Sequence, residues 1–113
     1  MLVNGERLAA LRGEIGEDGF DEVLEMFLAE SDEVVTRLSG QPDGAMSEAD
    51  LHFLKGSALT LGLEQLAELC RRCEAGPQVH PAVLADLYRQ SRAAIRQDQI
   101  RNSESTSSLV MSR

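Results

Sequence analysis

HFLKGSALTLG, residues 52–62, is the stretch around which the rest of this chain is organised. Its apolar positions, together with the preceding leucine, recur at the spacing of one helix face: Leu51, Leu54, Ala58 and Leu61. At about 100° per residue, His52 points well away from the centre of that apolar stripe. The pattern therefore predicts an amphipathic helix with the histidine on the surface or at the edge of the core.

Lys55 and Gly56 share a helix face with His52, because they follow it by three and four positions. An imidazole is mostly neutral near pH 7 and is then a nucleophile. An ammonium one turn away can pair with a phosphoryl group bound to that imidazole. Glycine inside a helix costs about 1 kcal/mol relative to alanine, but its bare backbone would give another protein's active site room to approach. The alternative is a surface histidine beside a lysine, with the glycine placed for close helix packing.

His52-Phe53-Leu54-Lys55-Gly56-Ser57, followed by Gly62-Leu63, resembles the signature of histidine-containing phosphotransfer (HPt) domains. The resemblance extends over roughly residues 8–95, and Ala58 stands where the family often has a second serine. It implies that His52 is the phosphoacceptor and that Lys55 stabilises the phosphoryl charge. It also implies that a partner protein contacts the helix at Gly56, Ser57 and Leu59.

Composition and patterning favour a single all-α domain. The chain has 113 residues and a net charge of −8, and the negative charge argues against nucleic acid or anionic lipid as a partner. No apolar run is long enough to span a membrane, and the N-terminus lacks the pattern of a signal peptide. We expect a cytoplasmic monomer.

The helical periodicity predicts an antiparallel up-down-up-down four-helix bundle with a short extra N-terminal helix. The predicted segments are Glu6–Arg12 for the short helix, then about Phe20–Leu38, Ser47–Leu61, Leu63–Ala75 and Pro81–Gln97. Gly13, Gly16 and Gly19 predict a loose first connection, Gly40–Gly44 a loop, and Ser47 a helix cap. Residues 1–101 are assigned to the bundle domain, and the Ser-rich residues 102–113 to a flexible tail.

Glu74 is a candidate partner for the histidine. His52 lies ten residues before Gly62 and Glu74 lies twelve after it, so antiparallel helices joined at Gly62 would place them at similar heights. In the HPt family this position is often a glutamine or glutamate that contacts the histidine. A carboxylate that accepts a hydrogen bond from one ring nitrogen would fix the tautomer. The alternative is a surface glutamate paired with an arginine.

Cys70 and Cys73 raise the possibility of a redox pair or a metal site. They fall in the middle of a predicted helix rather than at the start of one, and a zinc site needs about four ligands. The two cysteines also continue the apolar spacing of their helix, so we interpret them as small buried hydrophobes in a reducing compartment. We expect no metal and no cofactor, and we assign His80 to the cap or surface of the last helix.

The sequence thus favours a phosphorelay protein that carries a phosphoryl group between receiver-domain aspartates or receives it from a sensor histidine kinase. Such a carrier is not an enzyme in its own right and needs no nucleotide site, and the sequence has no P-loop. Two alternatives stay open at this point. One is an adaptor or kinase-regulating bundle in which His52 is not phosphorylated, and the other is a metal or redox protein that uses the cysteines.

Overall fold

The computed structural model describes residues 2–40, 47–76 and 79–111, with the backbone alone for residues 102–111. The described residues form helices and connections without a strand, which confirms the all-α prediction. Within these described ranges there are four helices, α1 (Gly5–Ser39), α2 (Glu48–Thr60), α3 (Glu64–Ala75) and α4 (Pro81–Met111). Most of the predicted loop over Gly40–Gly44 lies outside the described residues.

Helix α1 is divided by a kink at Gly16, where φ is 78° and ψ is 161°. The part before the kink corresponds to the short N-terminal helix that the sequence predicts, but it runs directly into the longer part rather than through a loose, glycine-rich connection. Its status as a separate, extra helix of the bundle stays a prediction. A single glycine at positive φ can redirect the chain without a loop, because it has no Cβ to clash.

The four helices enclose one apolar core. Helix α1 packs against α2 and α4, and α3 also packs against α2 and α4. The fully buried large side chains come from all four helices and the α2–α3 turn: Leu8, Phe20, Leu24, Leu28, Leu38, Leu54, Leu61, Leu66, Leu84 and Ile95. Phe20, Leu24, Leu28 and Leu38 lie on the side of α1 that the periodicity predicted to be apolar.

Polar contacts join α1 to α4 along their length. Asp32 of α1 accepts hydrogen bonds from the Tyr88 hydroxyl at 2.5 Å and from Arg92 Nε at 3.1 Å. Arg96, which follows Arg92 in α4, pairs with Glu25, which precedes Asp32 in α1. Burial, together with the hydrogen bond to the Asp32 carboxylate, raises the pKa of Tyr88. The up-down-up-down order of all four helices stays a prediction.

The motif helix α2 is anchored at both ends. Ser47 caps its N-terminus by accepting a hydrogen bond from the Asp50 backbone N–H at 3.3 Å, which confirms the predicted cap. At the other end Arg7 Nε donates to the Thr60 carbonyl at 3.1 Å, and the Asn4 N–H donates to the Gly62 carbonyl at 2.8 Å. The start of α1 therefore braces the α2–α3 turn and holds the motif helix in place.

Helix α4 continues past Gln97, where the apolar pattern fades, and its backbone is helical to Met111. The structure thus extends this helix beyond the end expected from periodicity. The assignment of residues 102–113 to a flexible tail stays a prediction, since the side chains of this segment lie outside the described set.

Candidate functional site

The predicted outer face of α2 is exposed. His52, Gly56 and Leu59 are all on the surface, and Leu59 retains 60% of its accessible area. The residues of the apolar stripe, Leu51, Leu54 and Ala58, are buried on the opposite side of the helix. Because the apolar stripe packs against the core, the opposite side of α2, which carries His52, faces solvent.

The His52 imidazole is unengaged. It makes no hydrogen bond or ion pair with any other residue of the described ranges. A ring nitrogen that is exposed and not already bonded is available to a reactive group on another molecule. This arrangement is suited to a nucleophile that acts in a complex rather than within a closed pocket.

Lys55 contacts Glu74 across the α2–α3 interface, with 2.6 Å between Lys55 Nζ and Glu74 Oε1. Both side chains are partly buried, at 28% and 22% exposure. Glu74 thus lies beside the helix face that carries His52, as its height in antiparallel helices predicted, but its carboxylate pairs with Lys55 and not with His52. It is also not paired with an arginine, the alternative expected for a surface glutamate. Its role as an imidazole orienter stays a prediction.

Gly56 lies in open space. An ideal Cβ built on this residue would meet no atom within 4 Å outside its own neighbouring backbone. Close packing against another described part of the chain therefore does not account for a glycine at this position. The exposed backbone leaves the surface next to His52 low and accessible.

A shallow depression of about 320 Å³ adjoins this face. It lies between α2 and α3 and is lined by Lys55, Leu59, Glu64, Ala67, Glu68 and Arg71. Sequence reasoning identified Leu59 but missed the contribution of α3. The contribution of α3 could have been found by comparing heights on the two antiparallel helices, as was done for Glu74.

Ser57 is buried, at 5% exposure, although the family resemblance implied that it contacts a partner. The reason is geometric, because position 57 follows Leu54 by three residues and precedes Leu61 by four, which places it on the apolar side of α2. Ser57 faces the core, whereas Lys55, Gly56 and Leu59 contribute to the surface on the side of α2 that carries His52.

Both cysteines are unpaired thiols in the core, at 0% and 8% exposure, which confirms that they pack as small buried residues. Burial, with lesser contributions from the neighbouring Cys73 and Glu74, raises the pKa of the Cys70 thiol to about 12. A thiol held in that state is a poor nucleophile and metal ligand. Across the described parts of the chain, no three His, Cys, Asp or Glu side chains come together as a metal ion would require.

His80 is a capping residue, as the sequence indicated. Its Nδ1 accepts a hydrogen bond from the backbone N–H of Ala82 at 3.0 Å, in the first turn of α4. Of the two histidines, His52 therefore has the unengaged imidazole, whereas His80 has a structural hydrogen bond.

Comparison with known protein families identifies the class. The family model described as the Hpt domain matches residues 22–101, which is well over half of the chain. The chain therefore belongs to the Hpt domain family, whose members are phosphocarriers of two-component signalling and interact with receiver domains and kinases. Comparisons with curated proteins and with solved structures give no match. In the part of the chain that the structure describes, no helix has the length and apolar character needed to cross a membrane.

Proposed function

We propose that this protein is a phosphorelay intermediate that carries a phosphoryl group on His52. It takes the group from the aspartyl phosphate of a receiver domain, or from a sensor histidine kinase, and passes it to the aspartate of a receiver domain. One observation carries the proposal: an exposed, unengaged imidazole stands beside Lys55 and Gly56 on a helix that the Hpt family model covers.

In the chemical step, the lone pair of the unprotonated ring nitrogen of His52 attacks the phosphorus of the aspartyl phosphate. A nitrogen–phosphorus bond forms as the phosphorus–oxygen bond to the donor aspartate breaks, and the aspartate leaves as a carboxylate. The other ring nitrogen keeps its proton in this step. The reverse sequence of bond changes delivers the group to an acceptor aspartate.

The neighbours of His52 have distinct roles in this proposal. The transferring phosphoryl group carries negative charge on three oxygens, and the Lys55 ammonium stabilises that charge. Gly56 leaves room for the loops of the partner's active site, because a side chain there would project into open space next to the imidazole. Leu59 provides an exposed apolar contact one turn further along the same face.

We infer an antiparallel up-down-up-down bundle that acts as a monomer, since the site lies on one face of one helix and needs no second copy. We also place the protein in the cytoplasm, where two unpaired thiols stay reduced.

The test is phosphorylation of the full chain by phosphoramidate and by phosphorylated receiver domains. We expect the wild type to gain a phosphoryl group that is acid-labile and alkali-stable, as a phosphoramidate linkage is. His52→Gln should lose this labelling entirely. His80→Gln is the matched control and should label normally, because His80 lacks the lysine and glycine neighbours. Undiminished labelling of His52→Gln would refute the assignment.

A further inference from the structure

The ammonium that the proposed function requires is already engaged in the structure. Lys55 Nζ lies 2.6 Å from Glu74 Oε1, and less than a third of either side chain is exposed. Charged groups at this separation and partial burial attract each other more strongly than a fully solvated pair. Among the described residues, Lys55 is the one ion-pair partner of Glu74, whereas the neighbouring Arg71 pairs with Glu68.

We propose that Glu74 is a positioning residue that holds Lys55 in an ion pair and thereby slows phosphoryl entry at His52. This inference rests on the proposed function of His52. A phosphoryl group that approaches the imidazole meets a pair with no net charge rather than a free cation. Lys55 must leave Glu74 before its ammonium can neutralise the phosphoryl oxygens.

The side chain of Lys55 is suited to this exchange. A lysine ammonium is a compact charge on a flexible four-carbon stem and can turn from one anion to another. His52 lies three residues before Lys55 on the same face of α2, so a phosphoryl group on His52 would be about one helical turn away. The Lys55 ammonium can therefore reach either that group or the Glu74 carboxylate. Phosphorylation and Glu74 thus compete for a single cation.

This role is opposite in sign to the role of an imidazole orienter. A carboxylate that fixed the His52 tautomer would accelerate attack, so its removal would slow phosphorylation. A carboxylate that sequesters Lys55 slows phosphorylation, so its removal accelerates the reaction. The second effect also requires Lys55 to be present, whereas the first does not.

The experiment compares rates of His52 phosphorylation by phosphoramidate alone in the full chain. The variants are Glu74→Gln, Lys55→Ala and the double variant. The control is Glu25→Gln, which makes the same charge change but removes an ion pair with Arg96 between α1 and α4. We expect Glu74→Gln to raise the rate about two- to fivefold, the range for one partly screened charge pair. The double variant should label at the rate of Lys55→Ala, and Glu25→Gln should match the wild type.

Four results would overturn the inference. The first two are an unchanged rate in Glu74→Gln and a rate that Glu74→Gln lowers whether residue 55 is lysine or alanine. The other two are an equal acceleration by Glu74→Gln with lysine or alanine at position 55, and an equal acceleration in the Glu25→Gln control. The ¹⁵N resonances of the His52 imidazole give a second readout, because the ratio of its tautomers should be the same in the wild type and in Glu74→Gln. A changed ratio would indicate an imidazole orienter instead.

A measurement without phosphorylation separates failure of this inference from failure of the proposed function. A double-mutant cycle of urea unfolding with Lys55→Ala and Glu74→Gln should show that the two residues are coupled. Absence of coupling would overturn the inference while leaving phosphorylation of His52 intact. A coupled pair in a wild-type protein that cannot be labelled would refute the proposed function, and the competition for Lys55 with it.

Discussion

Gly56 allows the fold and the phosphotransfer reaction to be tested separately. Glycine is less favourable than alanine inside a helix by about 0.8–1.0 kcal/mol. A Cβ at position 56 would meet no atom within 4 Å, so the substitution neither creates a clash nor adds a packing contact. We therefore expect Gly56→Ala to raise the free energy of unfolding by about 1 kcal/mol, and the thermal midpoint by about 4 °C. Gly56→Gln should gain about half as much, because glutamine is a slightly poorer helix former than alanine.

The rate of phosphotransfer should fall although stability rises, and the loss should increase with the size of the side chain at position 56. The glutamine side chain would occupy the open space next to His52 that a receiver domain must enter. A steric cost of about 1.4 kcal/mol in the complex would slow transfer tenfold. We expect at least this loss for Gly56→Gln with a phosphorylated receiver domain as donor. Labelling by phosphoramidate should be unchanged, because that donor is small.

Gly13 offers a matched control. It lies in α1, it is exposed, and a Cβ there would likewise meet no atom within 4 Å. Gly13→Gln should be stabilised and should transfer normally, as judged by single-turnover transfer measured beside a thermal melt. A Gly56→Gln variant that is folded and accepts phosphate from a receiver domain at the wild-type rate would refute the steric argument. Equal losses with both donors would show that the side chain affects the histidine itself.

Three further predictions concern the lysine, the α2–α3 turn and the buried thiol. Lys55→Ala should lower the free energy of unfolding by about 1 kcal/mol or less, because it removes one ion pair. It should nevertheless slow single-turnover transfer about ten- to a hundredfold, while Lys55→Arg should keep part of the rate. Equal rates for wild type and Lys55→Ala would contradict a role in charge stabilisation. Gly62→Ala should lower the free energy of unfolding in urea by about 2–3 kcal/mol, because φ is +72° and a Cβ would lie 3.0 Å from Arg7 Cβ and 3.1 Å from the Asn4 carbonyl oxygen. An unchanged urea midpoint would argue against this close packing. The pKa of Cys70 is about 12 in the folded protein and is ordinarily 9.0, so the stability from its buried neutral thiol is complete below pH 9 and is lost as pH rises towards 12. Urea unfolding should therefore show a decline of up to about 1.4 kcal/mol per pH unit above pH 9 that is smaller in Cys70→Ser, and parallel profiles for the two proteins would count against it.

Much of the fold was predictable because helix formation leaves a local pattern. The stripe Leu51, Leu54, Ala58 and Leu61 indicated which side of α2 is buried, and the Ser47 cap was predicted from its position before that stripe. The same periodicity also contained the burial of Ser57, which the family resemblance had assigned to the surface. In that case the local geometry was the better guide.

The boundaries near the N-terminus were less accessible to the sequence. Three glycines over residues 13–19 suggested a loose connection, but only Gly16 departs from helical geometry. Whether a glycine in a helical pattern stays helical depends on what its neighbours pack against. The contacts of Asn4 and Arg7 with the α2–α3 turn join segments more than fifty residues apart, and no periodicity encodes them.

The sequence by itself determined the elements of the site: one outward histidine, with a lysine and a glycine on the same helix face. This was possible because positions i, i+3 and i+4 meet on any α-helix, whatever surrounds it. Only the tertiary structure decided that Glu74 bonds to Lys55 rather than to His52. The spacing from Gly62 predicted the height of Glu74 correctly. Its partner depends on the rotation of α3 about its axis and on the reach of each side chain. Those quantities arise from the packing of the whole core, so they cannot be derived from the spacing within one helix.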